Sequence, residues 1–310
     1  MGKCPGAPGH FLHAVVDKPM RFWDNGGVNE REVDRMNYTL AALDMDGTLL
    51  NSDHVTTPYT RAVIARAAQA GKVVALSTGR TMSEIWAHLK VNPGISYVIG
   101  ESGACIYDVW NDRFIHRVTL RDSAVDASFD AIRNMGADAG VQCFIDNQSW
   151  ITYWTDADMA RYNVTGFAKA FRTGSKFVED AETLCRASRG RVSKINFYFA
   201  REDERERYPE RIRDLDIALK GSVGIGWEIS PPSADKAKGL RYLCDYLGIP
   251  VQQTMAVGDA ANDMDIMDAA GLSVAMGNAL DEVKAVADAV TEDCDHDGAA
   301  KAIEKYMLNE

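Results

Sequence analysis

The sequence lacks several features that would place it in a specialised class of protein. No apolar run approaches the ~20 residues that a membrane-spanning helix needs. The formal net charge is −11, so the chain has no excess of basic residues with which to bind a nucleic acid. The N-terminus also has no apolar region followed by a small-residue cleavage site, as a signal peptide would. We therefore expect a cytoplasmic protein with neither a membrane nor a nucleic-acid partner, and its oligomeric state is left open.

Cysteine residues are few and widely spaced. The chain has six of them and no Cys-x-x-Cys pair, which argues against both a zinc site and a disulfide scaffold. We expect them to be reduced and mostly buried: Cys4, Cys105, Cys143, Cys185, Cys244 and Cys294.

The length of 310 residues exceeds one ordinary α/β core and leaves room for one sizeable insertion. Residues 1–36 show no sustained helical or strand period, so we expect an N-terminal extension of unknown role. From Tyr38 onward, apolar strands alternate with amphipathic helices, which is typical of a parallel sheet covered on both faces. Residues 119–226 instead combine aromatic-rich strands with polar helices. The sequence therefore predicts a doubly wound, Rossmann-like α/β core at 37–118 and 227–310 with an inserted α+β domain, which the resemblance described below identifies as a cap.

Periodicity, capping residues and glycines give approximate bounds for the individual elements. The predicted core strands are 38–43, 73–76, 97–99 and 254–257. The predicted core helices are 58–71 (capped by Thr57), 81–90, 236–247 and 298–307, and a hairpin turns at Asn111-Asp112. In the cap, the predicted strands are 141–145, 150–154 and 194–199, and the predicted helices are 123–135, 156–171 and 209–220.

Two carboxylates follow the first predicted strand. Asp44 and Asp46 stand two residues apart in Asp-Met-Asp-Gly-Thr, directly after the wholly apolar strand that ends at Leu43. Open α/β sheets bind ligands beyond the carboxyl ends of their strands. Asp-Gly is also ordinary turn chemistry, but a turn alone does not require the first aspartate. The position favours a catalytic or ligand-binding role.

The second predicted strand runs into Thr78-Gly79-Arg80 at the start of a helix. The amides at a helix N-terminus attract anions, and a glycine lets the backbone approach a phosphate. Threonine is also a common helix cap that binds nothing, so this feature gains weight only beside the others.

A third strand opens into an acidic loop that contains Gly258, Asp259, Asn262 and Asp263. A single helix cap needs one acceptor, so capping alone does not explain both aspartates. Lys236 lies at the start of the preceding helix. A lone lysine is nearly always on the surface, and its assignment to a site depends on the other motifs.

Together these motifs resemble the haloacid dehalogenase-like phosphatase superfamily, and within it the Cof-type hydrolases with a C2B cap. The family's first motif, Asp-x-Asp-Gly-Thr, is matched by 44–48, and the second, which ends in Thr-Gly-Arg, by 78–80. The fourth motif, Gly-Asp-x-x-Asn-Asp, is matched by 258–263. The resemblance covers about residues 38–310 and extends to Ala275-Met-Gly-Asn-Ala279 near the C-terminus.

The sequence departs from the family pattern in two places. The third motif is usually Lys-Gly, but the alignment places Lys236-Ala237 there, and a Lys238-Gly239 pair follows two residues later. We assign the motif to Lys236. The family also tends to have Asn-Gly-Ala after the third core strand, where this chain has Ser102-Gly103-Ala104. That difference places one substrate-side contact in question.

The resemblance implies a Mg²⁺-dependent phosphatase that hydrolyses a small phosphorylated metabolite, with sugar phosphates as the usual substrate class. Asp44 is the implied nucleophile, and Asp46 is the implied acid that protonates the leaving group and the base that activates water. The implied Mg²⁺ ligands are Asp44, the Asp46 carbonyl and Asp259, with Asp263 orienting the metal shell. The candidate phosphate or substrate contacts are Thr78, Gly79, Arg80, Lys236 and Asn262, and possible cap contacts are Lys194, Trp154 and Arg191.

Two other functions fit parts of the sequence. A phosphotransferase or phosphomutase would pass the phosphoryl group to a sugar hydroxyl instead of to water. A non-catalytic metal-binding regulatory protein is the alternative from a different class, since residues 293–304 match the spacing of an EF-hand calcium loop. Against it, Lys301 stands where an acidic or water-mediating ligand belongs, and retention of both Asp44 and Asp46 favours catalysis.

Overall fold

The computed structural model describes residues 38–310. The predicted extension at 1–36 and Cys4 lie outside the described residues. The other five cysteines are buried, as expected. No helix in the described part of the chain has both the length and the apolar character to cross a membrane.

The described chain alternates between strands and helices along most of its length. The strands are β1 (Leu40–Leu43), β2 (Val73–Ser77), β3 (Ile95–Gly100), β4 (Cys105–Asp108), β5 (Arg113–Arg117), β6 (Ala139–Ile145), β7 (Gln148–Thr152), β8 (Ser175–Val178), β9 (Val192–Phe199), β10 (Ala218–Ser222), β11 (Gly226–Ser230), β12 (Thr254–Gly258), β13 (Leu272–Ala275) and β14 (Ala289–Val290). The helices are α1 (Pro58–Gln69), α2 (Met82–Val91), α3 (Asp122–Met135), α4 (Asp156–Arg161), α5 (Ala168–Gly174), α6 (Ala181–Ala187), α7 (Glu202–Ile212), α8 (Lys236–Leu247), α9 (Met264–Ala269), α10 (Asp281–Val286) and α11 (Gly298–Ile303). Short helical turns lie at Glu101–Gly103, Thr165–Phe167, Val251–Gln253, Ala261–Asp263, Cys294–His296 and Glu304–Leu308.

The larger sheet has eight strands in the order β14-β13-β12-β1-β2-β3-β4-β5. Its first six strands are parallel, and the β4–β5 hairpin continues the sheet in antiparallel pairing. The central strand β1 is apolar and buried throughout, as expected for a strand covered by helices on both faces. The predicted doubly wound parallel core is confirmed. It places the carboxyl ends of β2, β1 and β12 side by side.

The smaller sheet has six strands in the order β10-β11-β9-β6-β7-β8. One of its faces packs against α3, α6 and α7 through a cluster that includes Phe129, Phe197 and Tyr208. Part of the other face is covered by α4 and α5 through Trp154 and Phe171. On the same face, Lys194 contacts the Gly79 carbonyl in the loop after β2. The predicted α+β insertion is thus a sheet with helices unequally distributed between its two faces.

The helix predicted at 209–220 is wrong. The structure has α7 at Glu202–Ile212, followed by the edge strand β10. Three consecutive acidic residues, 202–204, occupy the first turn of α7, where carboxylates interact favourably with the helix dipole. The prediction instead began at Pro209, which lies inside the helix, because proline is common at a helix start.

Other bounds differ by smaller amounts. The helix predicted at 156–171 is interrupted after Arg161 and resumes as α5 at Ala168. The last predicted helix ends as an α-helix at Ile303 and continues as a wider turn. β11 crosses the predicted domain boundary at 226/227 and pairs with β9 and β10 in the smaller sheet. The division of the chain into domains stays a prediction.

The C-terminal segment is fastened to the region around α1. Asp297 accepts hydrogen bonds from the hydroxyls of Thr57 and Thr60, the latter at 2.8 Å. Asp295 accepts from the backbone N–H and the hydroxyl of Ser52 at 2.8 and 2.7 Å. These bonds join residues more than 230 positions apart in sequence, so they tie the two sequence halves of the core together.

Thr57 caps α1, as predicted, and Pro58 is the first helical residue. The Thr57 hydroxyl accepts from the Thr60 N–H at 3.0 Å while it donates to Asp297. We expect Thr57→Ala to lower the free energy of unfolding by roughly 1–2 kcal/mol, because it removes both bonds. Urea denaturation measures the change. Thr57→Ser is the control, since it keeps the hydroxyl, and equal stability of the two variants would contradict this account.

Candidate active site

The predicted site residues lie at the carboxyl ends of three neighbouring strands. β1 pairs with β2 on one side and with β12 on the other, and Leu43 is level with both Leu76 and Val257. Neighbouring strands are about 4.8 Å apart. Asp44, Thr78 and Asp259 therefore begin loops that leave the sheet from adjacent positions.

Lys236 holds two of the aspartates together. Its Nζ donates to Asp44 Oδ1 and to Asp263 Oδ1, both at 2.7 Å. All three side chains are buried, and Lys236 is only 2% exposed. Such a buried ion triad is stable only because each charge has an opposite partner within hydrogen-bond distance. The structure thus joins residues that are 192 and 27 positions apart in sequence.

The start of α8 selects which lysine enters the site. The Asp235 side chain caps the helix by accepting from the N–H groups of Ala237 and Lys238. This cap makes Lys236 the first helical residue. Lys238 instead extends to the carbonyl of Pro232 at 2.8 Å. The structure therefore places Lys236, the residue assigned to the third motif, beside Asp44.

Asp259 and Asp263 are held by their own loop and by the first motif. Asp263 Oδ2 accepts from the N–H groups of Asp259 and Ala260, both at 3.2 Å. Asp259 Oδ1 accepts from the Thr48 hydroxyl at 3.0 Å. Each carboxylate is therefore fixed in direction by at least one donor.

Gly47 gives the loop after β1 the space to approach Asp259. Its φ is +82°, in the left-handed region, and an added Cβ would lie 2.5 Å from Asp259 Oδ2. Asn278 donates to the Gly47 carbonyl at 2.8 Å and fixes this turn from the C-terminal side. The contact of Asn278 was not predicted, although the segment around it matched the family.

The site carries more negative charge than Lys236 neutralises. Asp44, Asp259 and Asp263 bring carboxylate oxygens within 4.8 Å of one another. Burial, followed by repulsion from Asp263, raises the pKa of Asp44 well above its usual value and that of Asp259 to about 6. Burial tends to lower the pKa of Lys236, but the Asp44 and Asp263 carboxylates outweigh it and raise this pKa.

This charge pattern fits a divalent cation. Three hard oxygen donors converge, and a positive ion among them would relieve the repulsion that raises the carboxylate pKa values. Mg²⁺ suits such a set because it is bound by one or a few carboxylates and retains waters. The Asp46 side chain lies outside the cluster of the three acids.

Asp46 is paired with Arg80 instead. The guanidinium donates from Nε to Asp46 Oδ2 at 2.9 Å and from Nη2 to Asp46 Oδ1 at 2.5 Å. The Arg80 backbone N–H donates to the Thr78 hydroxyl at 3.1 Å. The structure thus links the second carboxylate of the first motif to the second motif, at the edge of the buried cluster.

The remaining predicted residues occupy different environments. Asn262 is exposed in the helical turn between Asp259 and α9. Ser102 has a φ of 58°, a left-handed conformation in which asparagine is favoured, and its hydroxyl lies close to Gly79. Trp154 packs inside the cap against Phe171, and Arg191 pairs with Asp146 at 2.8 Å, so the structure brings neither to the aspartates.

The carboxylates of the 293–304 loop do not converge as calcium ligands would. Asp295 and Asp297 bind hydroxyls around α1, as described above, and Glu304 binds Tyr59 and Arg66 at 2.6 and 2.7 Å. Within the described residues, the acidic cluster with metal-binding geometry is the one at Asp44. The loop therefore joins the C-terminal segment to α1, which removes the main support for a calcium-binding regulator.

The close approach of Gly47 to Asp259 gives a test of the cation site. We expect Gly47→Ala to weaken Mg²⁺ binding about tenfold or more, because the new methyl displaces the Asp259 carboxylate. Gly71→Ala is the matched control, since its φ is +75° but an added Cβ meets nothing within 4 Å. Both variants lose about 1–2 kcal/mol of stability from the left-handed alanine. Isothermal titration calorimetry measures Mg²⁺ affinity, and equal affinity of the two variants would argue against this site.

The chain is similar to known proteins over most of its length. A family of haloacid dehalogenase-like hydrolases matches residues 41–303. Phosphatase YwpJ of Bacillus subtilis (strain 168) is 27% identical over 288 residues, which cover 87% of this chain and 99% of that protein. The 5-amino-6-(5-phospho-D-ribitylamino)uracil phosphatase YcsE of the same strain is 30% identical over 276 residues, which cover 87% and 96%. The structure of a haloacid dehalogenase-like hydrolase from B. subtilis matches with a TM-score of 0.74 at 26% identity, covering 86% of this chain and 99% of that one.

These similarities confirm the predicted fold and the resemblance stated from the three motifs. They also confirm that the chain is an enzyme of the phosphoric monoester hydrolase class. The Cof-type subfamily and the C2B cap type stay predictions. The chain belongs to the haloacid dehalogenase-like hydrolase family.

Proposed function

We propose that the protein is a Mg²⁺-dependent phosphatase that hydrolyses a small phosphomonoester through an aspartyl-phosphate on Asp44. The observation that supports this most directly is the buried Asp44 carboxylate, held at the end of β1 by Lys236 and adjoined by Asp259 and Asp263. A purely structural ion pair does not need a third carboxylate, Asp259, beside the two that the ammonium contacts.

The size of the barrier explains why such a site is needed. Hydrolysis of a phosphate monoester can require up to ~10²¹-fold acceleration, whereas one general acid–base group supplies roughly 10²–10⁴. Two successive displacements at phosphorus divide the reaction into easier steps. Positive charge around the phosphoryl group then stabilises both transition states.

In the first displacement, a carboxylate oxygen of Asp44 attacks phosphorus and the bond to the ester oxygen breaks. Asp46 gives its proton to the departing oxygen. In the second, a water molecule loses a proton to Asp46 and attacks the phosphorus of the aspartyl-phosphate. The bond between phosphorus and the Asp44 oxygen breaks, inorganic phosphate leaves, and both aspartates return to the states in which they entered the first step.

The ion pair between Asp46 and Arg80 has a consequence for this mechanism. Arg80 binds both oxygens of Asp46, and the same planar guanidinium is suited to bind a phosphate in two-point fashion. A phosphate group at Asp44 competes for Arg80, and the released Asp46 carboxylate then takes up a proton from solvent before it protonates the leaving oxygen. The pair therefore keeps Asp46 ordered until substrate arrives.

The residues assigned to Mg²⁺ are Asp44, the carbonyl of Asp46 and Asp259, with Asp263 orienting the metal's surroundings. The ion would reduce the repulsion between the Asp44 carboxylate and the dianionic phosphate. Lys236 supplies a further positive charge beside Asp44. The remaining phosphate contacts are the Thr78 hydroxyl, the Gly79 amide and Asn262.

The substrate we propose is a phosphorylated metabolite with a sugar-like leaving group. The relative at 30% identity is named as the phosphatase of a phosphoribityl compound, which supports a polyhydroxylated leaving group here. The cytoplasmic location and a cap at 119–226 that closes over this group are parts of the same proposal. A screen of phosphorylated metabolites with Mg²⁺, with and without a sugar acceptor, separates hydrolysis from phosphoryl transfer.

Asp44→Asn tests the covalent step. We expect it to abolish turnover, since an amide is a poor nucleophile, while the similar shape preserves the fold. Phosphate release from the best substrate of the screen measures activity, and circular dichroism checks folding. Near-normal hydrolysis by this variant would exclude an aspartyl-phosphate at Asp44.

Asp46→Asn separates the two roles of Asp46 by the choice of leaving group. With a sugar phosphate, the departing alkoxide needs a proton, so the first step slows by roughly 10²–10⁴. With para-nitrophenyl phosphate, the phenolate leaves unaided, and only the second step lacks its base. We expect a rapid burst of nitrophenol followed by slow turnover in rapid-quench experiments. A folded, Mg²⁺-loaded variant with neither a burst nor trapped phosphoprotein would contradict the assignment.

A further inference from the structure

One lysine of the smaller sheet reaches into the second motif. Lys194 lies on β9 and is 2% exposed. Its Nζ donates to the Gly79 carbonyl at 2.8 Å and to Glu228 Oε2 at 3.1 Å, and it lies 4.3 Å from the centre of the Phe144 ring. An ammonium group has three donors, and these three partners surround it. The geometry points to a structural partner for Gly79 rather than a ligand for a substrate.

The position of this contact in the Thr78–Arg80 loop is informative. The carbonyls of the first and third residues of the loop accept from the backbone N–H groups of Ser102 and Glu101, both at 3.0 Å. Both bonds join the loop after β2 to the turn after β3, so both partners belong to the larger sheet. The middle carbonyl, of Gly79, is bound by Lys194 from the smaller sheet. One of three consecutive carbonyls therefore depends on the inserted part of the chain.

The Gly79 carbonyl belongs to the same peptide unit as the Arg80 N–H. That N–H donates to the Thr78 hydroxyl oxygen at 3.1 Å. Lys194 thus lies at the oxygen end of a peptide dipole whose hydrogen end holds Thr78. Since the hydroxyl oxygen is occupied as an acceptor, its proton is left to point elsewhere, and a phosphate oxygen is a suitable acceptor.

We propose that Lys194 is a positioning residue that sets the Gly79–Arg80 peptide and thereby orients the Thr78 hydroxyl as a donor to the phosphate of the substrate. This inference rests on the proposed phosphatase function and deepens it. The contact between Lys194 and Gly79 makes phosphate affinity depend on the position of the smaller sheet. The Thr78 hydroxyl is fully oriented toward phosphate only when the inserted segment contacts the core.

The role predicts which measurements change. A residue that acts through the phosphate loop affects every phosphomonoester equally, and it also affects free inorganic phosphate. A residue that contacts the leaving group affects sugar phosphates and leaves inorganic phosphate binding unchanged. Inorganic phosphate is therefore the probe, in the presence of Mg²⁺.

The variants are chosen so that folding and function separate. Lys194→Met removes the ammonium but leaves Glu228 buried without its partner, so Lys194→Met/Glu228→Gln removes both charges together. Lys176→Met is the matched control. Lys176 is on β8 of the same sheet and, like Lys194, places its ammonium over an aromatic ring, that of Trp150. Thr78→Val removes the hydroxyl and keeps the shape of the side chain.

We expect the dissociation constant of phosphate to rise roughly tenfold to hundredfold in the folded Lys194 variants, as for loss of a charged hydrogen bond. The KM of all monoesters rises by a similar factor, and Lys176→Met changes neither. Combined with Thr78→Val, the loss of Lys194 adds little further, because both act through one hydroxyl.

Two results would overturn the proposal. Unchanged phosphate affinity in a folded Lys194→Met/Glu228→Gln variant would show that the contact does not act through the loop. Full additivity with Thr78→Val would show that Lys194 acts independently of the hydroxyl. Phosphate binding is measured directly, so a wild-type protein that binds phosphate without hydrolysing monoesters would refute the proposed function and leave this test valid.

Discussion

The ammonium of Lys236 between Asp44 and Asp263 determines much of the arrangement around it. Two buried carboxylates lie at hydrogen-bond distance from one cation, and their burial is stable only while that cation neutralises them. Asp259 adds a third carboxylate that the lysine does not reach by hydrogen bonding. The site therefore retains a negative charge, which favours binding of a divalent cation. The hydrogen bond from Lys236 holds Asp44 in the same position when the cation binds.

These charges can lie so close together only because glycine residues occupy two positions at the strand ends. A Cβ on Gly47 would lie 2.5 Å from Asp259, and a Cβ on Gly258 would lie 2.5 Å from the Cβ of Asp263. Each motif therefore pairs its aspartate with a glycine for a steric reason. The compact charge cluster therefore requires both glycines, Gly47 for the approach of two neighbouring loops and Gly258 for the turn of its own loop.

The core and its site were largely predictable because their signals are local. Apolar strands followed at once by Asp44, Thr78 and Asp259 indicated which strand ends to consider, and the sheet order places those strand ends side by side. The misplaced α7 shows the limit, since Pro209 fits a helix start better than a helix interior. The contact between Lys194 and Gly79 was not predictable, because it depends on how the two sheets pack against each other.

The position of β1 between β2 and β12 has a consequence for biosynthesis. Thr48 and Asp259, which bond across this junction, are separated by 211 residues. At about 5–20 residues per second, a ribosome needs roughly 10–40 s to supply the second neighbour of β1. During that interval the apolar edge of β1 lacks a partner, whereas the smaller sheet is encoded in one continuous segment and can form. The inserted segment is thus complete on the nascent chain before the catalytic centre exists.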